Sequence, residues 1–156
     1  MSPPRGGGTL LAVLSNPPTT RGERTLGRVR LACDILGFDD FLVANLFSLP
    51  SRSTRQIAEL GQTAAPWTAA REPIENQLCG ADGVLLAYGL DSPRGAAGHW
   101  RHEQLNWLDS ALRTHGQPTF WVGGEPRHPS RWQRCTSRRH PAIAFRDALA
   151  LELTQV

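Results

Sequence analysis

A continuous apolar run, Thr9-Leu10-Leu11-Ala12-Val13-Leu14, is halted by Ser15-Asn16-Pro17-Pro18, and this stop constrains the fold more than any other stretch. A run without polar alternation suits a strand buried on both faces, as in the centre of a parallel sheet. From Glu23 the apolar positions Leu26, Val29, Cys33 and Leu36 recur at helical spacing, and Gly37 supplies the stop. Phe41 to Phe47 then reads as a second buried strand, which makes the first forty-odd residues a βαβ unit.

The same alternation continues. Pro50 to Ala70 predicts a short helix at Thr54 to Leu60 followed by loop, and Arg71 to Gly80 a second short helix. Gly83 to Gly89 is a third apolar run, with its glycine opening a loop. Gly98 to His115 carries Leu105, Leu108 and Leu112 at helical spacing and ends before Gly116. A fourth strand starts at Thr119, a basic tract follows with Arg131, Arg134, Arg138 and Arg139, and Pro141 to Leu153 predicts a last helix. The expected fold is α/β, a three-layer α/β/α sandwich around a mostly parallel four-stranded sheet, with one domain at 9–156 behind a flexible leader at 1–8. Its ligand site should lie beyond the carboxyl ends of the strands, where Asn16, Asn45, Gly89 and His128 sit.

Composition narrows the function classes. The formal charge is +3 and all 17 basic residues are arginine, a balance that permits phosphate or nucleic-acid contacts and that codon bias in a GC-rich genome also produces. Cys33, Cys79 and Cys135 are odd in number and far apart, so thiols are expected rather than disulfides, with Cys33 and Cys79 as small core residues. His99, His102, His115 and His140 are scattered over helix faces and ends, which predicts no metal site and no cofactor. No run approaches membrane-spanning length, and the glycine-rich start carries no targeting pattern, so the expectation is a cytoplasmic monomer without a membrane partner.

Three strand exits carry polar groups. Asn16 precedes a proline, which holds it extended and aims its amide at a fixed point, either to hold a water or sugar hydroxyl or to cap the strand exit as an Asx-turn. Asn45 interrupts an apolar strand; its carboxamide matches the donor and acceptor pattern of a base edge, and equally suits a bond to a neighbouring loop. His128 lies in Glu125-Pro126-Arg127-His128-Pro129-Ser130-Arg131-Trp132, where two prolines stiffen the backbone around an imidazole able to face an oxyanion or a phosphate. Trp132 beside Arg131 suits stacking on a base or covering the core. P-loop, dinucleotide-binding, nucleophile-elbow and zinc-protease motifs are absent from the sequence.

Asn16-Pro17, Thr25 and Arg28, Asn45-Leu46-Phe47, Glu72-Pro73-Ile74-Glu75-Asn76, Ala87-Tyr88-Gly89 and Pro126-Arg127-His128-Pro129, in this order, resemble a bacterial family known as domain of unknown function 1643. The layout is more distantly similar to the uracil-DNA glycosylase superfamily. That second resemblance implies that Asn16 orients a water, that Asn45 with Phe47 binds the base, and that His128 stabilises negative charge on the departing base. It also implies that Ser130, Arg131 and Trp132 contact the substrate. The first motif lacks the aspartate of the most active glycosylases, which predicts weaker water activation. The expected function is that of a nucleobase N-glycosylase-like hydrolase acting on nucleic acid or a nucleotide; the alternative is a non-catalytic nucleotide or nucleic-acid binding module on the same fold.

Overall fold

The computed structural model describes residues 7–156. The apolar runs form β1 (Thr9–Leu14), β2 (Asp40–Asn45), β3 (Gly83–Leu86) and β4 (Thr119–Val122). Between them lie α1 (Glu23–Leu36), α2 (Thr54–Leu60), α3 (Ala65–Thr68), α4 (Arg71–Cys79) and α5 (Ala96–His115). After β4 a 3₁₀ turn (Pro129–Arg131) leads into α6 (Trp132–Arg139), α7 (Phe145–Glu152) and β5 (Leu153–Gln155).

The sheet runs β2-β1-β3-β4-β5, parallel throughout except for the antiparallel β4–β5 pair. It is thus five-stranded and mixed, where four strands were expected. The fifth escapes sequence reading because Leu153-Thr154-Gln155 is only three residues long and follows a helix without a break. The arginine tract, for which no helix was expected, forms α6, and the predicted last helix is α7, which begins at Phe145 rather than at Pro141.

Alternation along β1 sorts its side chains between two cores. Leu10, Ala12 and Leu14 pack with Val29, Ala32, Cys33 and Leu36 of α1, together with Trp132 and Leu149. Leu11 and Val13 pack on the other face with Ile74 and Leu78 of α4 and Leu108 and Ala111 of α5. Helices therefore cover both faces, and β1, an interior strand, is buried from Leu10 to Leu14, as its unbroken apolar run predicts. β2 is an edge strand rather than a second buried one, and its Leu42 is 38% exposed. Cys33 is a buried core thiol as expected, whereas Cys79, at the last turn of α4, is exposed.

Most of the leader expected at 1–8 lies outside the described residues. At its end, the Gly8 carbonyl accepts the Asp39 and Asp40 N–H groups at 2.9 and 3.3 Å, and Asp82 Oδ2 accepts the Thr9 N–H at 2.8 Å. Gly8 has φ +103°, and a Cβ there would stand 2.8 Å from Asp82 Oδ2, so only glycine fits this entry to β1.

Under α2 and α3 a third cluster joins Phe47, Ile57, Trp67 and Ala97. Beside it the fully buried Gln104 of α5 donates to the Leu46 and Trp67 carbonyls at 2.8 and 2.7 Å and accepts Arg71 Nε at 2.9 Å. One carboxamide thus ties the exit of β2 to α3, α4 and α5. Among the described residues, no helix is long and apolar enough to cross a membrane.

Candidate functional site

Strand order fixes where a ligand can sit. The chain leaves β1 for β2 on one side and returns to β3 on the other, and such a reversal opens a crevice past the carboxyl ends of the strands. Leu14 is in register with Asn45, Val13 with Leu86, so the exits of β1, β2 and β3 lie level. A cleft of about 890 Å³ opens there, lined by Asn16, Asn45, Tyr88, His128, Ser130 and Arg131 among others.

Of the seven residues singled out from sequence, Asn16, Asn45, His128, Ser130 and Arg131 line this cleft; Phe47 and Trp132 do not. Phe47 is fully buried against Trp67, with ring centroids 4.7 Å apart. Trp132 is fully buried beneath the His128 loop, and its Nε1 donates to the Arg127 carbonyl at 3.0 Å. Neither reaches a ligand, because the apolar cores on which their segments fold take the rings first.

Asn16 spends its amide hydrogens locally. Nδ2 donates to the Ser51 carbonyl at 2.6 Å and the Pro17 carbonyl at 3.1 Å, and the Ser51 N–H donates to Pro17 O at 3.1 Å. This lashes the loop before α2 to the exit of β1. Ser53 Oγ then accepts the Gln56 N–H to start α2, which places Arg52 and Ser53 on the cleft wall.

Asn45 differs. Its Oδ1 is buried and accepts no hydrogen bond from the described residues. Such an orphaned acceptor costs about 1–3 kcal/mol. Asn45→Ala should accordingly leave folding stability unchanged or raise it by up to about 1 kcal/mol, while weakening ligand binding about tenfold or more. Denaturant unfolding beside a binding titration checks both halves; a stability loss above about 2 kcal/mol would make Asn45 a structural group instead.

His128 is held by its neighbours. The Ser130 backbone N–H, which can only donate, reaches Nδ1 at 3.2 Å, and Ser130 Oγ lies 2.9 Å from the same atom. Nδ1 is therefore an acceptor, and the neutral ring carries its proton on Nε2. Arg28 on α1 donates to Pro129 O at 2.8 Å and to Gln133 Oε1 at 3.3 Å, fastening the turn from outside. Gly89, at φ +87°, donates its N–H to Pro126 O at 2.7 Å and joins the β3 exit to this loop.

Burial, then the positive charges of Arg131 and Arg28, hold the His128 pKa below its ordinary value of 6.5. Arg131→Gln should raise it, as should Arg28→Gln to a smaller degree; ring-proton titration by NMR measures both, and an unchanged midpoint in each variant contradicts the assignment. The stability consequence has a definite sign. Below pH 6.5 the unfolded chain takes up this proton first, so the fold loses stability from there down to the lowered folded-state pKa.

Tyr88, half-buried in the cleft, has Arg101 5.7 Å from its ring centroid, and Arg101 Nη2 donates to Gly89 O at 2.9 Å. Burial raises the Tyr88 pKa, so the phenol remains a donor near neutrality. Sequence reading named Arg134 and Arg138 only as part of a basic tract, and Arg52 and Asp91, the one acidic residue of the lining, not at all. For Arg134 and Arg138 a signal existed: Trp132, Cys135 and Thr136 stand at i, i+3 and i+4, the spacing of one buried helix face, which leaves Arg134 and Arg138 on the other. Among the described residues, no group of three or more His, Cys, Asp or Glu could hold a metal ion.

No curated protein and no solved structure matches the chain. The family described as protein of unknown function (DUF1643) matches residues 5–130, from ahead of β1 through the His128 loop. Four strands and three of the strand-exit groups that build the cleft fall within that match, and the chain belongs to this family.

Proposed function

We propose that the cleft binds a nucleotide unit, in nucleic acid or free, and hydrolyses its N-glycosidic bond. One observation carries the reading: an unpartnered amide oxygen, Asn45 Oδ1 at the end of β2, and a neutral imidazole with its proton on Nε2, in the loop after β4, line one cleft. A base offers both matching partners, a ring N–H for the oxygen and a carbonyl for the Nε2–H. When water adds to C1′ the C1′–N bond breaks, and its electron pair leaves with the base. The charge gathers on the base carbonyl, where a preorganised donor stabilises it more than it stabilises the ground state. Asp91 is the carboxylate of the lining that can take the proton of the attacking water. The likeness to the uracil-DNA glycosylase superfamily belongs to this proposal and supports the same roles for Asn45 and His128.

A second reading has its own support. Asn16 commits both amide hydrogens to backbone carbonyls and leaves only Oδ1 to orient water, so a binding module that keeps the pocket without turnover fits as well. Uracil- and modified-base oligonucleotides and free nucleotides, assayed for released base, separate the two. Free base from any of them supports hydrolysis; saturable binding that weakens with salt and yields no base supports the module; neither result from the whole panel would end both.

A further inference from the structure

Six arginines line the cleft, Arg21, Arg52, Arg127, Arg131, Arg134 and Arg138, against the single carboxylate of Asp91. Arg127 is held by Glu125 at 2.7 Å, and Arg21 makes only a 3.9 Å exposed contact with Glu23. Arg52, Arg131, Arg134 and Arg138 pair with no carboxylate among the described residues. Unpaired guanidiniums lining one cleft repel one another, and a multiply charged anion relieves that repulsion.

Arg131, at the end of the 3₁₀ turn, and Arg134 and Arg138 of α6 stand at i, i+3 and i+7, the spacing of one helix face, with a helical rise of about 10 Å over that interval. A guanidinium fork suits phosphate oxygens bidentately, so this line fits a row of phosphates. The base-facing groups Asn45 and His128 lie in the segment matched by the family, while Arg134 and Arg138 lie beyond its end at 130.

We propose that this ligand carries a terminal polyphosphate, a free nucleoside di- or triphosphate, with its phosphates along α6 and its base at Asn45. This rests on the nucleotide reading above. A nucleic-acid strand has the same chemistry in a different arrangement, one phosphate between successive bases, and proteins that hold strands supply stacking rings for those bases. Apart from the His128 imidazole, the cleft lining offers one aromatic ring, Tyr88; Trp132, which sequence placed among the arginines, is buried. Charge is concentrated and stacking surface is scarce, which favours the polyphosphate.

Calorimetric titration at fixed salt tests it. The probes are uridine and its mono-, di- and triphosphates, the other common bases in parallel, inorganic tripolyphosphate, and a short single-stranded oligonucleotide. Triphosphate should bind at least about tenfold more tightly than monophosphate, since each added charge-assisted contact contributes on that scale. An Arg134→Gln/Arg138→Gln protein should lose that step while holding monophosphate within about threefold; both side chains are exposed, so the fold should be unaffected. Equal affinity for mono- and triphosphate, an oligonucleotide that outcompetes triphosphate, or a double variant that keeps the full step overturns the proposal. Tripolyphosphate binding as tightly as the nucleotides, with no base preference, would retain the arginine row and remove the nucleotide reading. Nucleosides binding with no phosphate step would do the reverse.

Discussion

His128→Ala is expected to lower kcat for base release by about 10²–10³-fold, the scale on which removal of one preorganised oxyanion donor acts. The ring is pinned from two sides: Ser130 donates to Nδ1, and the prolines on either side of Arg127-His128 and the Arg28 bond to Pro129 O fix the loop. Because the proton sits on Nε2 and the pKa is depressed, kcat should run flat through pH 6.5, where an ordinary histidine would titrate. His128→Gln, which restores an Nε2–H donor at similar reach, should recover part of the loss. If His128→Ala turns over at the wild-type rate, or if kcat titrates at 6.5 or above, the donor lies elsewhere.

Trp132→Ala should cost about 3–5 kcal/mol of folding stability, the usual penalty for emptying a large buried aromatic site. Trp132 packs against the α1 face of the sheet, and its Nε1 satisfies the Arg127 carbonyl one residue before His128. Loss of the ring therefore opens a cavity and strands a polar group at the foot of the site. Urea unfolding gives the number. Were Trp132 a wedge reaching into substrate, alanine would spare stability and strike binding alone; a loss below about 1 kcal/mol would restore that role.

Legibility in the sequence followed how local the causes were. β1, α1 and α5 stand where periodicity and terminal glycines place them, since burial on both faces or along one stripe writes itself into consecutive residues. β2 as an edge strand and β5 as an antiparallel addition depend on neighbours remote in sequence, so Phe41 to Phe47 looked more buried than it is and Leu153–Gln155 looked like a helix end. In the cleft, polar residues interrupting apolar runs were visible: Asn16, Asn45 and His128. Which atoms they leave free was not, because that depends on partners such as Ser51, 35 positions from Asn16. Phe47 and Trp132 were expected as ligand contacts from the superfamily resemblance and, for Trp132, from its place beside Arg131, yet both rings went to the core, where burial of apolar area outweighs any exposed role.

The knot at Glu152 gives the arginine row an unexpected reach. Glu152 Oε1 meets His140 Nε2 at 2.9 Å and Oε2 meets Arg139 Nη1 at 2.7 Å, just past the end of the row, while the Glu152 carbonyl takes the Gly123 N–H at 2.9 Å. The helix bearing Arg134 and Arg138 is thereby bolted to the outermost strand of the sheet. Anything that steadies that helix also makes local opening of this edge less frequent. Occupancy of the cleft should be readable away from it, as slowed hydrogen exchange at the amides of Gly123 and Val156, neither of which lines the cleft.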